Sequence, residues 1–396
     1  MQLCADFAAG LADGGVRVVF VSPGSRNTPL TLAIAGEPRL RDVNIRDERS
    51  AGFMALGYAK ATRQPAAVLC TSGSAATHYF PAVVEADQDG APLIVMTADR
   101  PAALRNTYAP QTLNQVDLYG SHVKRFFDVD DPTASGRALG VQAVHEAVSP
   151  TPGAVHFNFP FEEPLVPASL PPTREPEAAE PSTPPYVGPT DALAQLSGWR
   201  VMFVASGHQP EGFAEELDRT ARALGAPIIA DPRTPVHGPN VIHHADLMLG
   251  GSAGEPLMAR LMPDIVVRLG PLPTSKPWWQ WLEESGVEQI LVHDGRLEDP
   301  LGSATVTIDE DPTAFLRNNL TRQPSPTAYV EQWSFLDAVA GAAAALALEG
   351  LPFPNEPEIA RSVMAMAPSS SIIYVASSRP IRDVDAFAIT RPDVSV

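Results

Sequence analysis

The chain has 396 residues, 44% of them apolar and 19% charged, with a formal net charge of −18. That length exceeds one ordinary core and points to two or three domains, and the acidity excludes a general attraction to nucleic acid or anionic membranes. No apolar run is long enough to span a bilayer, and the start Met1-Gln2-Leu3-Cys4-Ala5-Asp6 lacks a basic segment ahead of an apolar one, so a cytoplasmic location is expected.

Cys4 and Cys70 are the only cysteines, which rules out a disulfide framework or a cysteine-built zinc site. Lysine occurs only at Lys60, Lys124 and Lys276, and arginine supplies the rest of the basic complement. Arginine is the better residue for two-point recognition of carboxylate or phosphate. A GC-rich genome produces the same bias, so only arginines at strand ends or in turns carry weight.

In chain order, an amphipathic helix is predicted over 3–11, then a buried strand over 18–21 and the turn Ser22-Pro23-Gly24-Ser25-Arg26-Asn27. A helix follows over 28–35, with Pro29 tolerated in its first turn. Helices are predicted over 48–62, 75–87 and near 134–147, and strands over 66–70, 93–97 and 154–158. Short continuous apolar strands alternating with helices indicate a doubly wound parallel α/β sheet, whose ligands gather at the carboxyl ends of the strands. Three candidate loops lie there: 22–27, 71–74 and 98–101.

From 162 the composition turns to Pro, Glu and Ala with little periodicity, an extended linker running to 197. The central unit, 198–311, carries strands over 201–205, 227–230, 265–269 and 289–292 and a helix over 212–224, a second doubly wound, Rossmann-like sheet. Its Ser206-Gly207 turn lacks the remaining glycines of a dinucleotide fingerprint. His243-His244, with no carboxylate or cysteine at ligand spacing, reads as a loop pair rather than a metal site. The last part, 312–396, offers helices over 329–348 and 358–366 and a strand over 371–376, followed by Ser377-Ser378-Arg379-Pro380-Ile381-Arg382. It is too small to bury its own core and reads as the start of a truncated third domain. The division is thus 1–161, 162–197, 198–311 and 312–396.

The stretch Ile45-Arg46-Asp47-Glu48-Arg49 opens a helix rich in small residues, Ala51, Gly52, Ala55, Gly57 and Ala59. Small side chains let another backbone approach closely, placing Glu48 in a partly dry position where a carboxyl has a raised pKa and exchanges a proton near neutrality. On these residues alone, a first-turn acid favoured by the helix dipole is the stronger reading of Glu48, and the neighbouring segments reverse it.

The ordered series Ser22-Pro23-Gly24-Ser25-Arg26-Asn27-Thr28-Pro29-Leu30, Asp47-Glu48-Arg49, Thr71-Ser72-Gly73-Ser74-Ala75, Ala98-Asp99-Arg100-Pro101 and Gln111-Thr112-Leu113-Asn114-Gln115 resembles the pyrimidine-binding domain of thiamine-diphosphate enzymes. Within them it resembles the 2-succinyl-5-enolpyruvyl-6-hydroxy-3-cyclohexene-1-carboxylate (SEPHCHC) synthase family (MenD) of menaquinone biosynthesis. The likeness runs along the whole chain, including Pro273-Thr274-Ser275-Lys276 and 377–382.

The resemblance implies a thiamine-diphosphate-binding fold and a carboligase acting on 2-oxoglutarate and isochorismate. By it, Glu48 is the acid that hydrogen-bonds the cofactor's aminopyrimidine ring nitrogen and so favours the imino tautomer that removes the thiazolium proton. Thr71 and Gly73 match cofactor-binding positions; Arg26, Arg100, Arg382 and Lys276 match substrate-binding positions. Ser25, Gln111 and Ser378 match polar neighbours that orient the second substrate. Each of these residues is otherwise a surface charge or a turn hydroxyl.

His78 stands where the family often has asparagine. The family's Gly-Asp-Gly motif, which holds Mg²⁺ or Mn²⁺ and the diphosphate, does not occur, so its ligands are expected in a missing carboxyl-terminal part and the chain alone is expected to hold only the pyrimidine half of the cofactor. In the family the cofactor lies between two subunits, which implies a homodimer or homotetramer. The rival readings are a simple thiamine-diphosphate 2-oxo acid decarboxylase and an inactive truncated chain acting as a binding or regulatory subunit.

Overall fold

The structure is a computed structural model that describes residues 1–105, 107–131, 135–166, 198–250, 259–295, 297–319 and 328–396. The chain divides into two compact units, Met1–Pro184 and Pro185–Val396. The linker expected over 162–197 lies outside the described residues from 167 onward, as does Ala134 at the start of one expected helix.

In the first unit six strands make one sheet in the order β2-β1-β3-β4-β6-β5, and every neighbouring pair is parallel. They are β1 (Val18–Val21), β2 (Arg41–Asn44), β3 (Ala66–Cys70), β4 (Leu93–Asp99), β5 (Phe126–Asp128) and β6 (Ala154–Pro160). Parallel neighbours need crossovers, and the helices that supply them cover both faces. Side chains alternate across β1 accordingly. Val19 and Val21 join Phe7, Leu11, Leu30 and Phe157 in one core, whereas Val18 and Phe20 join Ala51, Ala55, Val68 and Tyr79 in the other.

On the first face α1 (Gln2–Gly14) lies against α5 (Gly136–Val148) with almost no side chain between them. A Cβ on Gly10 would fall 2.2 Å from the Arg137 carbonyl oxygen, and one on Gly140 2.3 Å from that of Phe7. Both glycines are required by this backbone approach.

Expectation and structure differ where an element is short or exposed. The edge strand β2 carries Arg41, Asp42 and Asn44 and is largely solvent-facing, so no apolar run marks it. The helix expected over 75–87 is instead a 3-10 segment, Gly73–Tyr79, followed by α4 (Phe80–Asp89). Pro81 explains the change: it has no N–H to donate, and its ring collides with a carbonyl one turn back unless it lies in a helix's first turn.

The second unit repeats the plan with the order β12-β11-β10-β7-β8-β9, again parallel throughout. Its strands are β7 (Val201–Ala205), β8 (Ile228–Ala230), β9 (Val241–Ile242), β10 (Ile265–Leu269), β11 (Glu288–His293) and β12 (Val306–Asp309). Helices α6 (Phe213–Leu224), α7 (Ala245–Gly250) and α8 (Lys276–Glu284) flank it. Helix α9 (Pro312–Asn318) begins just past the expected boundary at 311, yet Phe315 and Leu316 are fully buried in the core of this sheet.

The remaining helices are α10 (Ala328–Glu349), α11 (Glu356–Met366) and α12 (Arg379–Phe387). Tyr329 and Trp333 tie α10 to the core that holds Trp278. His244 of the expected loop pair gives its backbone N–H to Asp337 of α10 at 2.7 Å. The strand expected over 371–376 shrinks to β13 (Ser371–Ile372), paired only with β14 (Val394–Ser395). Ile372 and Tyr374 are exposed, so burial gives this segment no reason to extend.

The Gly10–Gly140 contact yields a direct expectation. Gly140→Ala gains helix propensity but drives a methyl into the Phe7 carbonyl, and the collision wins, lowering stability by about 1–3 kcal/mol in a denaturant titration.

Candidate active site

The strand order of the first unit reverses between β1 and β3, so the loops leaving these strands diverge over a crevice at the carboxyl edge of the sheet. Gly24 makes the two loops fit: a Cβ there would lie 2.4 Å from Cβ of Thr71. Asn27 fastens the first loop, its Nδ2 donating to the Ser22 carbonyl at 2.9 Å. Thr71 Oγ and Asn27 Oδ1 are buried polar atoms with no hydrogen-bond partner among the described residues.

Glu48 reaches this edge from the start of α3 (Glu48–Thr62), the helix between β2 and β3. Asp47 caps α3 by accepting the Arg49 N–H at 2.9 Å, which leaves Glu48 in the first turn. No described residue hydrogen-bonds the Glu48 carboxylate. It is close enough to Cys70 and Tyr79, at the end of β3 and below it, that its charge helps burial push both groups upward in pKa. Glu48 is half-buried, and the dry surroundings expected of it are not completed by the elements of this unit.

Arg26 is 6% exposed; its guanidinium donates to the Phe161 carbonyl at 2.9 Å and to Glu163 at 3.3 Å. Burial first, then the nearby charge of Arg100, lower its pKa, while Glu163 acts the other way. Two guanidinium groups brought together at a strand edge form a natural seat for a carboxylate. Arg100 follows β4, donates to the Pro110 carbonyl at 3.1 Å, and holds a buried Nε with no partner. Ser25 is exposed in the first loop, and its carbonyl accepts the Thr28 hydroxyl at 2.8 Å.

The Thr71-Ser72-Gly73 turn is clamped from one side by Gln111. Ser72 Oγ donates to the Gln111 carbonyl and Gln111 Nε2 donates to the Ser72 carbonyl, each at 3.1 Å. Gly73 has φ +88°, and a Cβ there would meet Gln111 at 3.0 Å, so glycine is required on both counts. His78 is exposed on the 3-10 segment that follows.

Seven of the expected site residues therefore lie at one edge: Ser25, Arg26, Glu48, Thr71, Gly73, Arg100 and Gln111. The other three are in the second unit. Lys276 is exposed at the start of α8, its Nζ 5.9 Å from the centre of the Trp279 ring. Ser378 and Arg382 are exposed one turn apart at the start of α12, 3.5 Å between Nη2 and Oγ. Ser275, next to Lys276, shares a small cavity with Asp385 of α12, which brings the two elements together.

Beneath the first edge is a buried polar network with no counterpart among the expected site residues. Gln115, Thr97, Asp99, His156 and Asn158 are all fully buried. Thr97 and Asn158 lie on β4 and β6, and Arg105 pairs with Asp128 at 2.7 and 2.9 Å. The available signal was the polar spacing of His156 and Asn158 in an otherwise apolar strand.

Residues 1–118 match the family profile described as thiamine pyrophosphate enzyme, N-terminal TPP binding domain. Together with the doubly wound sheet and its crevice, this places the chain among thiamine-diphosphate enzymes. A curated synthase from Geobacillus kaustophilus named 2-succinyl-5-enolpyruvyl-6-hydroxy-3-cyclohexene-1-carboxylate synthase is 38% identical over 96% of this chain and 69% of its own length. Relatives of the same name from Listeria monocytogenes (35% identical, 97% of this chain, 70% of the relative) and Myxococcus xanthus (36%, 96% and 69%) agree. The chain belongs to the 2-succinyl-5-enolpyruvyl-6-hydroxy-3-cyclohexene-1-carboxylate synthase family. Among the described residues no helix is long and apolar enough to cross a membrane.

Burial lowers the pKa of His156 to about 3. An unfolded histidine takes up a proton near pH 6.5, which the folded one refuses until about pH 3, so this group removes stability as pH falls through that window. In calorimetry the transition of the first unit should fall more steeply between pH 7 and pH 5 in the wild type than in His156→Gln. Equal slopes would show that His156 has no part in the acid sensitivity.

Proposed function

We propose that the chain is a thiamine-diphosphate-dependent carboligase that decarboxylates 2-oxoglutarate and adds the succinyl unit to isochorismate, forming SEPHCHC in menaquinone biosynthesis. The observation that carries this reading is the unpartnered Glu48 carboxylate at the carboxyl edge of the sheet that also carries Arg26 and Arg100, in a chain 38% identical to such a synthase. The cytoplasm is the expected compartment.

The residues at this edge fit an aminopyrimidine: a carboxylate free to share a proton with a ring nitrogen, and the tight Thr71-Ser72-Gly73 turn beside it. Bound there, the cofactor supplies a nucleophilic carbon and an electron sink for loss of carbon dioxide. Glu48 holds the proton at the pyrimidine nitrogen and returns it, which keeps the neighbouring amino group competent as a base. Arg26 and Arg100 fix substrate carboxylates by paired hydrogen bonds, and Ser25 and Gln111 orient the second, cyclic substrate. Lys276, Ser378 and Arg382 of the second unit are substrate-binding residues in this reading.

The diphosphate end calls for a divalent cation, magnesium or manganese. Among the described residues no cluster of three or more His, Cys, Asp or Glu is arranged to hold one, and no step is assigned to it here.

The domain reading that accompanies this function is a pyrimidine-binding domain over 1–161, a linker over 162–197, a central domain over 198–311 and part of a diphosphate-binding domain over 312–396. A homodimer or homotetramer completes the site. Phe53 and Met54, on the same helix as Glu48, are 47% and 45% exposed, an apolar surface that a second subunit would cover.

In the turnover-competent enzyme, Glu48→Gln should lower the rate of carbon–carbon bond formation by about 10²–10⁴-fold, the usual worth of positioned acid–base catalysis. An undiminished rate would refute the assignment. Product analysis with 2-oxoglutarate, with and without isochorismate, separates the carboligase from a decarboxylase, which would release succinic semialdehyde in both cases.

A further inference from the structure

The polar network under the site has a direction that its fixed groups determine. Gln115 Oε1 accepts the backbone N–H of Gly73 at 2.8 Å, and Gln115 Nε2 donates to the backbone carbonyl of Ala98 at 3.0 Å. A backbone N–H can only donate and a backbone carbonyl can only accept, so the amide of Gln115 has one possible orientation. Its Nε2 also donates to Asn158 Oδ1 at 3.0 Å, and Thr97 Oγ donates to the same oxygen at 2.8 Å.

With its oxygen occupied by two donors, Asn158 must present its Nδ2 to the far side. There it donates to Asp99 Oδ2 at 3.1 Å and to Asp128 Oδ1 at 2.9 Å. Both carboxylates pair with Arg105, which forks onto Asp128 at 2.7 and 2.9 Å and lies 3.3 Å from Asp99. Asp99 uses its other oxygen to accept the backbone N–H of Arg100 at 2.7 Å.

We propose that Gln115 is a positioning residue: through it, the Arg105–Asp99–Asp128 ion cluster sets the Gly73 turn in register with the Arg100 loop. Reversing any amide in the series would set donor against donor or acceptor against acceptor in a fully buried place, so the arrangement has a single low-energy state. The Gly73 turn is gripped from two sides, by Gln115 from beneath and by Gln111 beside it. Loosening the first grip displaces the second, because Gln111 bonds to Ser72, the residue before Gly73. The Gly73 N–H is consumed by Gln115, so the turn meets the cofactor through other atoms.

The inference rests on the reading of this edge as the cofactor and substrate site, and its test has one arm that does not. Hydrogen exchange on the chain itself should show a Gly73 amide protected in the wild type and exchanging about 10-fold faster or more in Gln115→Met, with β3 and β4 unchanged. The second arm uses the turnover-competent enzyme. Gln115→Met should raise KM for isochorismate, through Gln111, and for thiamine diphosphate, through the Gly73 turn, by about 10-fold each, while changing kcat at saturation less than about 3-fold.

Arg105→Lys keeps the charge but loses the fork, and should move both readouts the same way by a smaller factor; it serves if Gln115→Met does not fold. Faster exchange spread evenly over β3 and β4, or an unchanged KM in the folded variant, would overturn the proposal. If the exchange result holds but Glu48→Gln remains fully active, the functional reading of the edge fails and the relay stands as a structural feature.

Discussion

Everything at the candidate site follows from the reversal of strand order between β1 and β3. Right-handed crossovers on either side of that point send successive helices to opposite faces of the sheet, and the loops above it part instead of packing together. Gly24, having no side chain, still lets the first loop approach Thr71 closely. Glu48 arrives on the helix that makes the crossing itself, between β2 and β3. Its position is therefore tied to the topology and not to a mobile loop.

The electrostatics look contradictory at first. A chain with net charge −18 gathers guanidinium groups at one edge of its first sheet. Burial and then the nearby charge of Arg100 act against Arg26, and its bonds to Glu163 and the Phe161 carbonyl stand on the other side. A carboxylate seated there, as proposed, would relieve the repulsion and so concentrate binding energy where the rest of the surface turns an anion away. The same logic runs beneath the site, where Arg105 compensates the fully buried Asp99 and the partly buried Asp128.

The parts legible in the sequence were those whose reason is local. Apolar runs marked β1, β3 and β7 to the residue, because a strand buried on both faces cannot carry a polar side chain cheaply, and β10 was marked as well although its buried Arg268 is paired with Asp299. Ordered turn motifs located Arg26, Glu48 and Arg100. What escaped depends on neighbours distant in the chain. Gln115 was visible as the end of a motif, but its bonds to Gly73, Ala98 and Asn158 exist only once four segments have met. The half-open setting of Glu48 is likewise a matter of what packs above α3, which no local pattern reports. The short strands β2, β5, β9 and β12 lacked the length or the burial that makes a strand readable.

The same feature that hid β2 has a use for the molecule. A sheet with parallel strands leaves a row of unpaired amides and carbonyls along its outer rim, a template on which another chain can add and begin an aggregate. On this rim Arg41 and Asp42 stand exposed at successive positions, one on each face of the strand. A strand from another molecule could dock there only by stripping water from charge of either sign. The polarity that made this strand invisible to a search for apolar runs thus guards the open flank of the fold against fibrous growth.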